Sequence, residues 1–146
     1  MAEDQSNTFT PELRVLMGIY EIHRRFERLE PEFVDGFDIT RQERHALACM
    51  IGPVRIGHIA KKMQSLPSAM TPLLDGLTDK GLIKREPDPE DRRASLIVLT
   101  KKGRSLQAEL FAAATKAFYD VTGLSPEDAE ALAVLMDKAR QNFTDV

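Results

Sequence analysis

The run Pro87-Asp88-Pro89-Glu90-Asp91-Arg92-Arg93 carries two adjacent guanidinium groups and no large apolar side chain for them to pack on. An arginine on such a turn is suited to charge-assisted, forked hydrogen bonding to anions, phosphate above all. Further cations precede it: Lys61, Lys62, Lys80, Lys84 and Arg85. Over residues 54–104, eleven Lys and Arg stand against six Asp and Glu, a local excess of +5. The formal total of −3 thus conceals a basic middle between acidic flanks. Local charge sets the field that a polyanion meets, so the middle is a candidate nucleic-acid face. Solvated surface charge is the competing reading.

Other chemistries find less material. His23, His45 and His58 show no local metal-ligand spacing, and a single cysteine, Cys49, can form neither an internal disulfide nor a paired-cysteine zinc site. Cys49 sits among Ala46, Met50 and Ile51 with no obvious cation to activate it, which reads as an inert thiol. There is no Gly-rich phosphate loop, no Gly-x-Ser-x-Gly elbow and no His-Glu-x-x-His. No nucleophile, base and orienting acid can be assembled, so an enzyme is not expected, nor a metal or cofactor. No apolar run is long enough for a membrane span, and Met1 to Thr8 lacks the order of a signal peptide, so the expected location is cytoplasmic. A chain of 146 residues, 42% hydrophobic and 29% charged, can bury a core of its own.

The elements that must position these groups are written in caps, breakers and periodicity. Thr10-Pro11-Glu12 opens a first helix with a capping oxygen, a proline at the first helical position and an acid at the positive end. Its apolar residues, Leu13, Leu16, Met17 and Tyr20 with Ile19, Ile22, Phe26 and Leu29, form a stripe too wide for one neighbour, and Pro31 is expected to end it. Thr40 and Glu43 form a capping box for a second helix, carrying Ala46, Leu47, Met50 and Ile51 and stopping near Gly52-Pro53. Ile56, Ile59, Ala60 and Met63 mark a short third helix. Residues 66–80 read as a fourth, with Leu73, Leu74 and Leu77 inward and Gly81 as its stop. That order is a helix-turn-helix.

The period then changes. Leu82-Ile83-Lys84-Arg85 and Ser95-Leu96-Ile97-Val98-Leu99 are β-type runs on either side of the charged turn, a hairpin with Arg92 and Arg93 at its tip. Thr100 caps a long fifth helix, and Ser125-Pro126-Glu127-Asp128 opens a sixth with Leu132, Leu135, Met136, Ala139 and Phe143. One irregularity stands out. Counted from Pro67, Pro72 is the sixth residue of the fourth helix, where it removes a backbone donor. Either that helix kinks, or Thr71 caps a shorter one; Leu66, at the expected cap position, has no capping oxygen.

The strings IGHIAKKM (56–63) and LLDGLTDKGLIKREPDPEDRRASLIVLTKKG (73–103), with the helical elements around them, resemble the MarR family of bacterial transcriptional regulators. The fold expected is mainly α with a small β-hairpin wing, a single domain over 1–146. It comprises a winged helix-turn-helix lobe at 40–103 and dimerisation helices at 10–30 and 104–146. The apolar stripes of the end helices agree, since burial across a two-fold axis would cover them; a monomeric bundle wrapping the lobe is the alternative. The resemblance implies a homodimer on a near-palindromic double-stranded DNA operator, a repressor released by a small-molecule effector.

As for residues, Ser68, Ala69, Thr71 and Pro72 would face the major groove. They include no Arg, Asn or Gln, so groove shape is expected to carry much of the specificity. The resemblance places Arg93 in a narrow A·T-rich minor groove, with Arg92 beside it and Asp91 bracing the wing. Lys61, Lys62, Lys80, Lys84 and Arg85 would touch phosphate. His23 and His45, with Phe26, Cys49 and Phe118, would lie near the effector cleft. Pro72 departs from the family, which often has a polar or basic residue there. Two alternatives stay open: a zinc- or redox-responsive regulator of the same fold, and a winged-helix module that binds protein, whose mark would be an acidic or apolar wing.

Overall fold

The computed structural model describes residues 8–34 and 38–142. Over these run six helices and three short strands: α1 (Pro11–Val34), α2 (Arg41–Cys49), β1 (Val54–Arg55), α3 (Ile56–Lys62), α4 (Pro67–Asp79), β2 (Ile83–Pro87), β3 (Ser95–Leu99), α5 (Lys101–Thr122) and α6 (Pro126–Arg140). The architecture is the expected one, mainly helical with a small wing. Two compact units divide the chain, one of residues 34–113 and one of residues up to 33 together with those from 114 onward.

In the 34–113 unit, the capping box forms as the sequence dictates. Thr40 Oγ1 accepts the Glu43 N–H at 3.2 Å and Glu43 Oε2 accepts the Thr40 N–H at 2.7 Å. α2 stops at Cys49, short of the expected Gly52, and Ile51 is exposed instead of extending the apolar face. At this end the Met50 N–H donates to Leu47 O at 3.2 Å, and Gln107 Nε2 of α5 donates to the Leu47 and Met50 carbonyls at 2.6 and 3.0 Å, so the helix end is satisfied without a further turn. The sheet has a third strand that no periodicity announced. β1 pairs antiparallel with β3 (Val54↔Ile97, Arg55↔Leu96), giving the order β1-β3-β2. Two residues are too few to show an alternation.

α4 is one helix through Pro72, so the shorter helix capped by Thr71 does not form; Leu66 takes the N-cap position with no side-chain bond. Ser68 and Pro72 both lie on the exposed side, where water can satisfy the carbonyl that the proline leaves without a donor. α4 ends as expected: Gly81 has φ +71°, its N–H donates to Thr78 O, and the Leu82 N–H donates to Leu77 O. Leu47, Met50, Ile59, Leu74, Leu77, Leu82, Ile83 and Ile97 are fully buried together, each stabilising the lobe by roughly 1.5–3 kcal/mol relative to exposure.

The Leu-Thr-x-x-Gly string at 99–103 has a geometric reason. Thr100 donates its hydroxyl to Gly81 O at 2.6 Å and its N–H to Leu82 O at 3.0 Å, while its Oγ1 accepts the Gly103 N–H at 3.0 Å. This draws the start of α5 so close that a Cβ on Gly103 would lie 1.9 Å from Leu82 O.

In the other unit, α1 corrects the reading that Pro31 ends it: the helix runs on to Val34. A proline forfeits one N–H bond, a loss that so long a helix absorbs near its end. The sixth helix opens at Ser125 as expected, and Ser125 and Asp128 form a second capping box there, with Ser125 Oγ accepting the Asp128 N–H at 3.1 Å. α6 buries none of its residues, and Leu13, Leu16, Met17 and Tyr20 of α1 are exposed as well. Phe143 lies outside the described residues.

Candidate nucleic-acid interface

α4 shows one face to the core, through Met70, Leu74 and Leu77, and the other to solvent. Ser68, Ala69, Thr71 and Pro72 are all on the exposed face, as the sequence placed them. Asp75 joins them there, with Arg85 Nη2 of β2 at 2.9 Å from its Oδ1. A helix whose outward side is small and hydroxylated can approach a groove floor closely and offers little forked hydrogen bonding.

β2 and β3 pair from Ile83↔Leu99 to Pro87↔Ser95 and carry an exposed turn between them. Arg92 and Arg93 are exposed on that turn, and among the described residues neither guanidinium has an ion-pair partner. Asp91 shapes the turn by accepting the Arg93 N–H on Oδ1 at 3.0 Å. Two residues beneath it had no role readable from the sequence. Arg55 donates from Nε to Asp88 Oδ2 at 2.7 Å, and Asp88 is only 4% exposed. The Glu90 N–H on Asp88 Oδ1, with help from Arg55, holds this carboxyl below its ordinary value although burial opposes ionisation. An acid inside a charged run looks solvated from sequence; only the third strand brings a partner to it.

The other cations differ in their availability. Lys61 and Lys62 are exposed at the end of α3, where Lys62 Nζ also lies 3.4 Å from Cys49 O. Lys84 pairs with Glu86 at 2.6 Å on the open sheet surface. Lys80 stands apart: its ammonium is held 2.8 Å from Glu43 Oε2. Burial pushes Glu43 upward, but the hydrogen bonds from Lys80 and the Thr40 amide outweigh it and leave the carboxyl below its ordinary value. Lys80 therefore has a structural task, joining α2 to the end of α4.

The residues named for an effector cleft divide between the two units. His23, Phe26 and Phe118 belong to one and His45 and Cys49 to the other. His23 is exposed, 3.5 Å from Glu27 on α1; Phe26 is half-buried; Phe118 is half-buried and edge-on to Tyr119. His45 is exposed and Cys49 is half-buried; desolvation pushes its thiol upward, and Lys62, a cation the sequence did not place beside it, opposes that push without outweighing it. Among the described residues no group of three or more His, Cys, Asp or Glu side chains could hold a metal ion.

Residues 39–95 match the model of the MarR family. Over 105 residues the chain is 30% identical to the HTH-type transcriptional regulator YkoM of Bacillus subtilis, covering 71% of this chain and 68% of that protein. The chain belongs to the MarR family. It is thus a transcriptional regulator of the MarR type, and MarR proteins are not enzymes. A second relative is the HTH-type transcriptional repressor MdtR of Bacillus subtilis, 31% identical over 83 residues, 53% of this chain and 54% of that one. The MarR fold itself is seen in a mutant of Escherichia coli MarR complexed with operator DNA. That structure superposes with a TM-score of 0.62 at 24% identity, over 94% of this chain and 99% of that one. No helix among the described residues is long and apolar enough to cross a membrane.

Proposed function

We propose that the protein binds double-stranded DNA sequence-specifically as a homodimer, on a near-palindromic operator, and represses transcription until a small molecule releases it. The observation that carries this reading is the pairing, within one unit, of an exposed, small-residue α4 face with an exposed Arg92-Arg93 wing. The first suits close approach to a major groove; the second suits the negative potential of a narrow minor groove. Ser68, Ala69, Thr71 and Pro72 would make the groove contacts and Arg93 the minor-groove contact, with Arg92, Lys61, Lys62, Lys84 and Arg85 on phosphates. Lys80 is the weakest of the proposed phosphate contacts because Glu43 already holds it. Its relative MdtR, a repressor, supports the sign of regulation.

The dimer reading rests on the apolar side chains that α1 and α6 leave exposed, such as Leu16 at 63% and Leu135 at 64%. Effector release is an extension from the family, with His23, Phe26, His45, Cys49 and Phe118 as its candidate contacts and the cytoplasm as its setting. A genome-wide footprint of the purified protein tests the whole reading. Protection at a few discrete near-palindromes is expected, whereas uniform or absent protection contradicts it.

A further inference from the structure

Arg55 stands where two parts of the lobe meet. It is the last residue of β1, paired with Leu96 of β3, and the residue after it opens α3, the first helix of the helix-turn-helix. Its guanidinium reaches the wing: Nε and Nη2 lie 2.7 and 2.6 Å from Asp88 Oδ2. Asp88 in turn is tied into the turn that bears Arg92 and Arg93. Its Oδ1 accepts the Glu90 N–H at 2.9 Å and its own N–H donates to Ala94 O at 3.2 Å. The Ala94 N–H donates to Asp91 O at 2.9 Å, and Asp91 Oδ1 accepts the Arg93 N–H. A continuous path of hydrogen bonds therefore runs from the backbone of Arg93 to the residue that precedes α3. The strand pairing ends at Pro87↔Ser95, so beyond it this path is what fixes the tip.

The Arg55 side chain is half-exposed, 51% against 4% for Asp88, so solvent screens the attraction and the pair is a poor source of net stability. What Arg55 and Asp88 supply is direction. α3 and α4 share the core with β3, so an anchor on Arg55 refers the tip to the same frame as the recognition helix. A wing already in place has less freedom to lose when it meets a duplex. We propose that the Arg55–Asp88 bridge is a positioning device: it sets the pitch of the wing against the helix-turn-helix and so aims Arg93. This rests on the reading of the wing as a duplex-contacting element.

The test uses the full chain and a duplex enriched from a random-sequence library, synthesised with A·T-rich and with G·C-rich flanks. Asp88→Asn keeps the size of the side chain and the acceptor for Glu90 but drops the charge. It is expected to weaken binding to the A·T-flanked duplex about fivefold or more, the lower end for one specific contact, and to leave the G·C-flanked duplex within about twofold. In an Arg93→Ala background the same change should shift either affinity by less than about twofold, because there is no longer a side chain to aim. Arg55→Gln, which leaves the Asp88–Glu90 bond intact, carries the same test should Asp88→Asn fail to fold. Equal losses on both flanks, or a loss undiminished in the Arg93→Ala background, would overturn the positioning role. A loss from Arg93→Ala with silence from both bridge variants overturns the bridge alone. No loss from Arg93→Ala on either duplex removes the wing from DNA binding and the bridge with it.

Discussion

Arg93 and Lys84 are exposed cations on the same hairpin, yet their expected contributions differ in kind. Arg93→Ala should cost about 1–3 kcal/mol of operator affinity, concentrated on A·T-rich flanks, because groove narrowing and not a base code attracts it. Lys84→Ala should weaken all sequences alike and reduce the salt slope by about one unit. Binding titrations on flank-exchanged duplexes separate the two; identical, flank-independent losses would make Arg93 one more phosphate contact. Gly103→Ala is a prediction about stability. With Leu82 O only 1.9 Å from the new Cβ, α5 must shift from the sheet, at about 1–3 kcal/mol, seen as a thermal midpoint several degrees lower. At this scale the sequence named Arg92, Arg93 and Asp91 correctly as exposed turn residues, since no apolar neighbour could hold them. Asp88 and Arg55 escaped it because their bond spans 33 residues and a strand of two.

Helix boundaries were legible wherever a cap fixed them. Thr40-Glu43, Ser125-Asp128 and Gly81 each satisfy orphan backbone groups locally, and local bonds are what a sequence displays. α2 ended early, with carbonyls at its end satisfied by Gln107 from a distant helix, which no local pattern contains. Pro31 and Pro72 were over-weighted: both sit inside helices, each giving up one bond that helix length or water makes good. Two acids tie elements together and fix a pH response. Glu43 and Asp88 have folded values below their ordinary 4.5 and 3.8, so the folded form holds its protons less tightly than the unfolded chain. Their contribution is thus complete above pH 4.5 and is lost as pH falls toward the folded values. Thermal midpoints measured across that range should fall with acidification, and Glu43→Gln should flatten the part due to the α2–α4 link. An unchanged slope in Glu43→Gln would detach the Lys80 pair from stability.

For the molecule as a whole, α1 and α6 present more apolar surface than their own unit covers. Deleting residues 126–146 should remove the partners of Leu13, Leu16 and Tyr20 and leave a monomer or an aggregate in sedimentation. A well-behaved dimer from the truncated chain would place the interface elsewhere. The charge split acts at this scale too: the local excess of +5 over residues 54–104 gives a chain of net charge −3 a basic region that a polyanion can meet. The central claim is sequence-specific binding through that region, and affinity against salt concentration, on the enriched duplex and on its scramble, tests it most directly. Each phosphate neutralised contributes about −0.9 to the log–log slope, so several exposed Lys and Arg predict a steep fall on both duplexes. Across the whole salt range the enriched duplex should stay about a thousandfold or more ahead of its scramble. A flat slope, or equal affinity for the two duplexes, would contradict the account.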